Sequence, residues 1–177
     1  MRVSDYILSR LADEGITHAF TVYGGAISEL IDAFLRQDKI TYVCPHHEQG
    51  AGFMAEGWAK AKGNAIPGLA IVTSGPGGGN LVTPIQDCFY DSTPCIFITG
   101  QVNSKFIRPT KAIRQLGFQE TDIVGIVKPI TKYATLVTRA EDIRHTLTRA
   151  IHECLEGRKG PVLLDIPGDI QKCTMPI

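Results

Sequence analysis

Residues 68–80, with the sequence GLAIVTSGPGGGN, decide the fold of this chain. The continuous apolar run from Gly68 to Thr73 is typical of a strand that is buried on both faces, as in parallel sheets. A glycine-rich turn follows the run, and the segment from Leu81 to Tyr90 then has the periodicity of a helix. This strand–turn–helix unit predicts one repeat of a parallel α/β arrangement, with the turn at the carboxyl end of the strand.

The same alternation extends from this unit to both ends of the chain. Further strands are predicted at His18–Val22, Ile40–Cys44, Cys95–Thr99, Thr131–Val137 and Val162–Ile166, with helical patterns between them. Ser4 is expected to cap the first helix, and residues 138–141 (TRAE) form a capping box for the last one. Residues 101–117 show no clear period and predict a long loop. The whole pattern predicts a three-layer α/β/α domain with a mainly parallel sheet of about six strands.

The composition is that of a globular protein without a charge bias. Of the 177 residues 44% are apolar, and 18 Lys and Arg balance 18 Asp and Glu. The scattered charges form no basic stripe for a nucleic acid, and no apolar run reaches the roughly 20 residues of a membrane span. The five cysteines are odd in number and lie mostly in apolar segments, so we expect reduced thiols, no metal site and a cytoplasmic location.

Three segments that follow predicted strands carry the candidate ligand-binding residues, namely Val22–Ala26, His46–Ala51 and Thr73–Asn80. Ligands of open parallel sheets bind beyond the carboxyl ends of the strands, where backbone amides at helix starts are free. The glycine run is not a phosphate loop, because no Lys-Ser or Lys-Thr follows it, and Pro76 breaks the dinucleotide pattern. A turn with unusual dihedral angles and a ligand loop both remain open interpretations.

Glu48 allows two interpretations as well. A carboxylate in the first turn of a helix is favoured by the helix dipole by ~0.3–1 kcal/mol, which would be a purely structural role. The small residues that follow, Gly50, Ala51 and Gly52, instead suit a helix that another backbone or a ring approaches closely. In that setting Glu48 is a candidate for proton exchange with a ligand nitrogen.

Taken in order, several separate motifs resemble the N-terminal, pyrimidine-binding domain of the thiamine-diphosphate-dependent acetolactate synthase and pyruvate oxidase family. The similarity extends from about Val3 to Ile170. It rests on residues 43–63 with HEQGA at their core, TSGPG at 73–77 with Asn80, FQETD at 118–122 and GPVLLDIP at 160–167. Any one of these motifs alone, the glycine run above all, would be a weak indication.

This resemblance implies a role for each motif. In that family the glutamate that matches Glu48 hydrogen-bonds a ring nitrogen of the aminopyrimidine, and the cofactor serves as the electron sink for decarboxylation of a 2-keto acid. Glu48 and Gln119 are therefore expected to be catalytic. The implied cofactor-binding residues are Tyr23, Gly24, Gly25, Glu48, Thr73, Pro76 and Asn80. The implied substrate-side residues are His47, Phe118 and Gln119, for which a plain polar turn is the alternative.

Two departures from the family pattern shape the remaining expectations. Tyr23 stands where the family usually has a proline, which makes that turn less rigid. The family's Gly-Asp-Gly motif for magnesium is absent, since Gly168-Asp169 is followed by Ile170. We therefore expect residues 1–170 to bind only the pyrimidine end of thiamine diphosphate, and residues 171–177 to begin a linker to absent middle and diphosphate-binding domains that hold the magnesium.

Several alternatives for the whole protein remain at this point. The chain is expected to be inactive alone and to form a homodimer or higher oligomer, since the face that normally meets the diphosphate-binding domain is uncovered. A non-catalytic binding or assembly module, and one subunit of a split keto-acid decarboxylase, are the alternatives. The keto acid, its acceptor and any use of FAD are not encoded in these motifs.

Overall fold

In the computed structural model, which describes residues 1–175, six strands form one parallel sheet. The strand order is β2-β1-β3-β4-β6-β5, and every neighbouring pair is parallel. The strands are β1 His18–Val22, β2 Thr41–Val43, β3 Gly68–Val72, β4 Cys95–Gln101, β5 Tyr133–Leu136 and β6 Val162–Pro167. The predicted three-layer α/β/α fold with a six-stranded sheet is confirmed.

The helices cover both faces of this sheet. They are α1 Val3–Asp13, α2 Ser28–Phe34, α3 Glu48–Ala61, α4 Pro76–Gly79, α5 Val82–Asp91, α6 Ile123–Val127, α7 Ile143–Leu155 and α8 Gly168–Lys172. Strand β3 shows how the layers arise. Leu69 and Ile71 pack with α1, α2 and α7, whereas Ala70 and Val72 pack with α3, α5 and α6. Because alternate residues of a strand point to opposite faces, a continuous apolar run is needed to bury both sides.

Two predicted helix starts are wrong. Helix α1 begins at Val3 with Arg2 in the capping position, and Ser4 is buried inside it. The amide of Val3 donates instead to the carbonyl of Cys173 at 2.9 Å, so a distant segment satisfies the helix start. Helix α7 begins at Ile143 after a 3₁₀ turn, without a side-chain cap, and Glu141 pairs with Arg139 at 3.1 Å.

The end of the described chain packs on its beginning. The amide of Met175 donates to the carbonyl of Met1 at 2.9 Å, and Met175 is buried. Gln171 is also buried and donates to the carbonyls of Ala26 and Ile166, each at 2.7 Å.

The domain boundary at residue 170 stays a prediction, and residues 176–177 of the expected linker lie outside the described residues. None of the helices within residues 1–175 is long and apolar enough to cross a bilayer.

Candidate functional site

Helix α3 fixes the position of Glu48. His47 is its capping residue, with an extended backbone and a ring nitrogen, Nδ1, that accepts from the amide of Gln49 at 3.1 Å. Glu48 is the first residue of the helix and is half-buried. The free amides and the dipole of the helix start favour a carboxylate at this position. The His47 ring is thus engaged at the helix start, and its predicted contact with a substrate stays a prediction.

Asn80 joins the glycine-rich segment to Glu48. The Asn80 side-chain nitrogen, Nδ2, donates to Glu48 Oε2 at 2.8 Å. A Cβ atom at Gly77 would lie 3.5 Å from Glu48 Oε1 and 2.8 Å from the methyl carbon of Thr73. Glycine at this position therefore lets helix α4, Thr73 and the carboxylate approach one another closely.

The turn after β1 contacts the same segment. A Cβ at Gly24 would lie 2.3 Å from the Thr73 Cβ, so no side chain fits there. The amide of Ala26 donates to Thr73 Oγ1 at 3.3 Å. The three segments that were selected from the sequence, after β1, before α3 and after β3, thus lie together at the carboxyl edge of the sheet.

A fourth segment packs onto the glycine run through Gln119. Gly75 has a φ of +60°, and a Cβ there would lie 2.6 Å from the Gln119 carbonyl oxygen. Gln119 itself has a φ of +61°, which is uncommon for a residue with a side chain. The buried Glu120 stabilises this turn, because its Oε2 accepts a hydrogen bond from the amide of Leu116 at 2.9 Å.

An open cleft of about 770 Å³ lies beside this arrangement. Its lining includes Gly25, Thr73, Gln101, Phe118, Gln119 and Asp169. The Phe118 ring is 80% exposed, so its apolar surface is available to a ligand or to another protein domain. Six predicted site residues lie outside the lining of this cleft: Tyr23, Gly24, His47, Glu48, Pro76 and Asn80. The site therefore has two parts, the cleft and the Glu48–Asn80 pair, and the glycine-rich segment contacts both.

Two polar residues of the site were missed by sequence reasoning. Gln101 ends β4 and lines the cleft, while Asp165 lies in β6 with only 2% of its surface exposed. Asp165 accepts hydrogen bonds from Thr99 Oγ1 and from Gln101 Nε2, both at 2.8 Å. Burial raises the pKa of Asp165 to about 7, and these two hydrogen bonds oppose the shift. An aspartate within the apolar run VLLDIP was the available signal.

One acidic cluster lies away from this site, on α3 and α5. The carboxylates of Glu56, Asp87 and Asp91 have oxygens within 4.8 Å of one another. The ammonium group of Lys60 lies 2.8 Å from a Glu56 oxygen and 2.7 Å from an Asp91 oxygen. The ammonium group of Lys60 therefore lies between these carboxylates and compensates part of their negative charge.

Comparison with known proteins gives a consistent result over most of the chain. The family described as "Thiamine pyrophosphate enzyme, N-terminal TPP binding domain" matches residues 1–126. The chain is 44% identical over 169 residues to acetolactate synthase 2, chloroplastic, of Nicotiana tabacum, which covers 96% of the chain and 24% of that protein. It is 44% identical over 156 residues to the acetolactate synthase large subunit of Corynebacterium glutamicum, covering 88% of the chain and 24% of the relative. It is 43% identical over 157 residues to the mitochondrial acetolactate synthase catalytic subunit of Aspergillus candidus, covering 89% of the chain and 22% of that protein.

Proposed function

The chain belongs to the thiamine pyrophosphate enzymes, as their N-terminal TPP binding domain, and from this premise we propose that it forms the pyrimidine side of an active site for 2-keto acids. The observation that carries the proposal is the pair of Glu48 and Asn80. Asn80 holds Glu48 Oε2 at 2.8 Å, so that Oε1 is available to a ring nitrogen of the pyrimidine.

The residues at this edge fit such a ring. Glycine at positions 24, 75 and 77 lets the turn after β1 and the glycine-rich segment pack closely against Thr73 and Gln119, which gathers the residues that would surround the ring. Thiamine diphosphate, when bound, supplies an electron sink for cleaving the bond next to a keto group. Glu48 would hold or exchange a proton with the ring nitrogen, and Tyr23, Gly24, Gly25, Thr73 and Pro76 would border the ring.

We assign the substrate side to Phe118, Gln119 and His47. Gln119 packs against Gly75 and has a backbone in the left-handed region. The exposed ring of Phe118, the preceding residue, lines the same cleft. Non-glycine residues in that region are typical of ligand-binding sites, where the surrounding structure fixes them. Acetolactate-synthase-like decarboxylation and carboligation is the reaction that we propose, since the relatives are acetolactate synthases.

The chain spans about a quarter of the length of the curated relatives that it matches. We therefore propose that these 177 residues bind only the pyrimidine end of the cofactor, and that a further domain holds the diphosphate through magnesium. Without that domain no turnover is expected. A subunit of a split keto-acid decarboxylase would use the same residues in the same way.

Self-association is part of the proposal. Four exposed apolar side chains lie on the outer face of α3 and α5, namely Phe53, Met54, Phe89 and Tyr90. Phe53 and Tyr90 border a common groove of about 340 Å³. A two-fold contact between two such faces would cover them, which favours a homodimer.

We also propose a cytoplasmic location, because all five cysteines are free thiols.

Titration calorimetry tests the assignment. Thiamine diphosphate with magnesium is titrated into the chain alone, and then into the chain together with a diphosphate-binding domain of the same family. We expect weak or no binding to the chain alone and clear binding once the second domain is present. Glu48→Gln should abolish that gain, whereas Glu153→Gln, on the remote helix α7, should retain it.

The alternative function is a binding or assembly module that catalyses nothing. The exposed apolar face on α3 and α5 would serve this role equally well. Absence of cofactor binding under both conditions, in a chain that still self-associates, would establish that alternative and overturn the catalytic assignment.

A further inference from the structure

We infer that Gln101, held by the buried side chain of Asp165, is the positioning residue for the turn that carries Phe118 and Gln119. The functional meaning of this turn rests on the proposed function, but the coupling itself is a property of the chain. It joins strands β4 and β6 in the sheet to a loop of the candidate site.

The first contact is the one between the two side chains. Asp165 lies in β6 and is paired in register with Thr99 of β4. Its two carboxyl oxygens accept separately, Oδ1 from Thr99 and Oδ2 from Gln101, each at 2.8 Å. A carboxyl group with 2% exposure requires such partners, because an unpaired polar group in a core is costly.

The second contact carries the constraint to the turn. Gln101 Nε2 also donates to the carbonyl of Thr121 at 2.8 Å, and Gln101 Oε1 accepts from the amide of Val102 at 2.9 Å. The nitrogen thus faces two acceptors and the oxygen faces a donor, which fixes the orientation of the amide group. Both hydrogens of the nitrogen are used, one toward Asp165 and one toward the turn.

The turn needs such a constraint. Gln119 has a φ of +61°, a conformation that persists only where neighbouring contacts impose it. Glu120 fixes the N-terminal side of the turn, through the amide of Leu116 at 2.9 Å and the Arg108 guanidinium at 3.5 Å. The Gln101 contact to Thr121 fixes the C-terminal side, two residues after Gln119.

The position of Gln101 agrees with this role. It lines the cleft that contains Phe118 and Gln119. It also lines a second cavity of about 300 Å³, which is bordered by Thr121 and Asp165. Replacement of Gln101 by an apolar side chain of similar size would therefore remove the hydrogen bond to the Thr121 carbonyl without opening a large cavity.

Amide hydrogen exchange of the chain alone tests the coupling without any cofactor. The reporter is the Glu120 amide, which donates to the Gly117 carbonyl at 3.1 Å and closes the turn. We expect its protection factor to fall about tenfold in Gln101→Met and in Asp165→Leu, since each removes a buried hydrogen-bond partner. Asp165→Asn should restore it to within about twofold, because the asparagine oxygen still accepts from Gln101 and its nitrogen can donate to Thr99.

Thr99→Val is the matched control. It removes the other donor to Asp165 and leaves the Gln101 contact in place, so it should destabilise the core yet leave the Glu120 amide protected. Equal loss of protection in Thr99→Val and Gln101→Met, or no loss in Gln101→Met, would overturn the inference. If Asp165→Leu does not fold, the comparison of Gln101→Met with Thr99→Val decides the question. Failure of the calorimetric experiment above would overturn the function and leave this coupling intact.

Discussion

Asn80 Nδ2 and Glu48 Oε2 are 2.8 Å apart, although 32 residues separate them in the chain. The contact joins the end of the glycine-rich segment to the first residue of α3. It orients the one carboxylate that the proposed function requires, and it does so with a neutral donor.

Replacement of Asn80 should weaken cofactor binding in the complete site. We expect Asn80→Ala to lower the affinity for thiamine diphosphate about fivefold to tenfold, the effect of one lost hydrogen bond. Asn80→Asp keeps the shape but places a second carboxylate beside Glu48, so the loss should be larger. Calorimetry with the diphosphate-binding domain present measures both, and equal affinities for the two variants would contradict the proposed role of Asn80.

Gly75→Ala should destabilise the chain. The residue has a φ of +60°, and a Cβ would lie 2.6 Å from the Gln119 carbonyl oxygen. We expect the free energy of unfolding to fall by about 2–4 kcal/mol, as measured by urea denaturation. Gly57→Ala is the control, because a Cβ there meets nothing within 4 Å and the residue lies within α3. That control should be neutral or stabilising by up to about 1 kcal/mol, and similar losses in both variants would refute the packing argument.

Asp165→Asn should change how stability depends on pH. The pKa of Asp165 is raised to about 7 by burial, so the folded chain holds a proton that the unfolded chain releases near pH 4. The stabilising contribution of that proton is complete below about pH 4 and is lost as the pH rises to about 7.

Urea denaturation between pH 4.5 and pH 8 measures this effect. The free energy of unfolding of the wild type should decrease relative to that of Asp165→Asn over this range, by about 1.4 kcal/mol per pH unit at the steepest. The difference between the two proteins should be constant above about pH 8. Parallel curves throughout would mean that Asp165 titrates normally in the folded chain.

Lys60→Met should destabilise the contact between α3 and α5. Glu56 is 3% exposed, and the Lys60 ammonium at 2.8 Å is the cation beside it. Removal of that cation leaves a buried carboxylate uncompensated, at a cost of about 1–2 kcal/mol in the free energy of unfolding, because Lys60 itself is partly exposed. Lys39→Met removes an exposed pair with Asp13 at 3.6 Å and should change stability by less than about 0.5 kcal/mol. Thermal or urea denaturation that ranks the two variants the other way would contradict this account.

Phe53→Asp should weaken self-association. Phe53 lies on the exposed apolar face of α3 and α5, and a charge there would have to be desolvated in the proposed dimer. We expect the dimer dissociation constant to rise at least about tenfold by sedimentation equilibrium. Leu35→Asp, at a leucine that is 76% exposed at the end of α2, should leave it unchanged. A wild-type chain that is monomeric at high concentration would remove the basis for the proposed dimer.

The order of the strands and of the longer helices and the candidate segments were readable from the sequence, because they depend on local periodicity and on turn residues. The short helices α4, α6 and α8 were not, because four or five residues are too few to show a helical period. The apolar run at Gly68–Thr73 required a strand buried on both faces, and the glycine-rich segment after it indicated either a turn with unusual dihedral angles or a ligand loop. The start of α1 was not readable from Ser4, because the amide of Val3, the first residue of the helix, donates to the carbonyl of Cys173 at the far end of the chain.

Only the tertiary structure decided which of these segments touch. The parallel order of the strands brings Glu48 to Asn80, Gly75 to Gln119 and Asp165 to Gln101, each across 30 or more residues. Sequence periodicity says which face of a strand is buried but not which strand lies beside it. The roles of Gln101 and Asp165 arise from that adjacency, since a buried acid acquires its partners, and its pKa, only from the neighbouring strand.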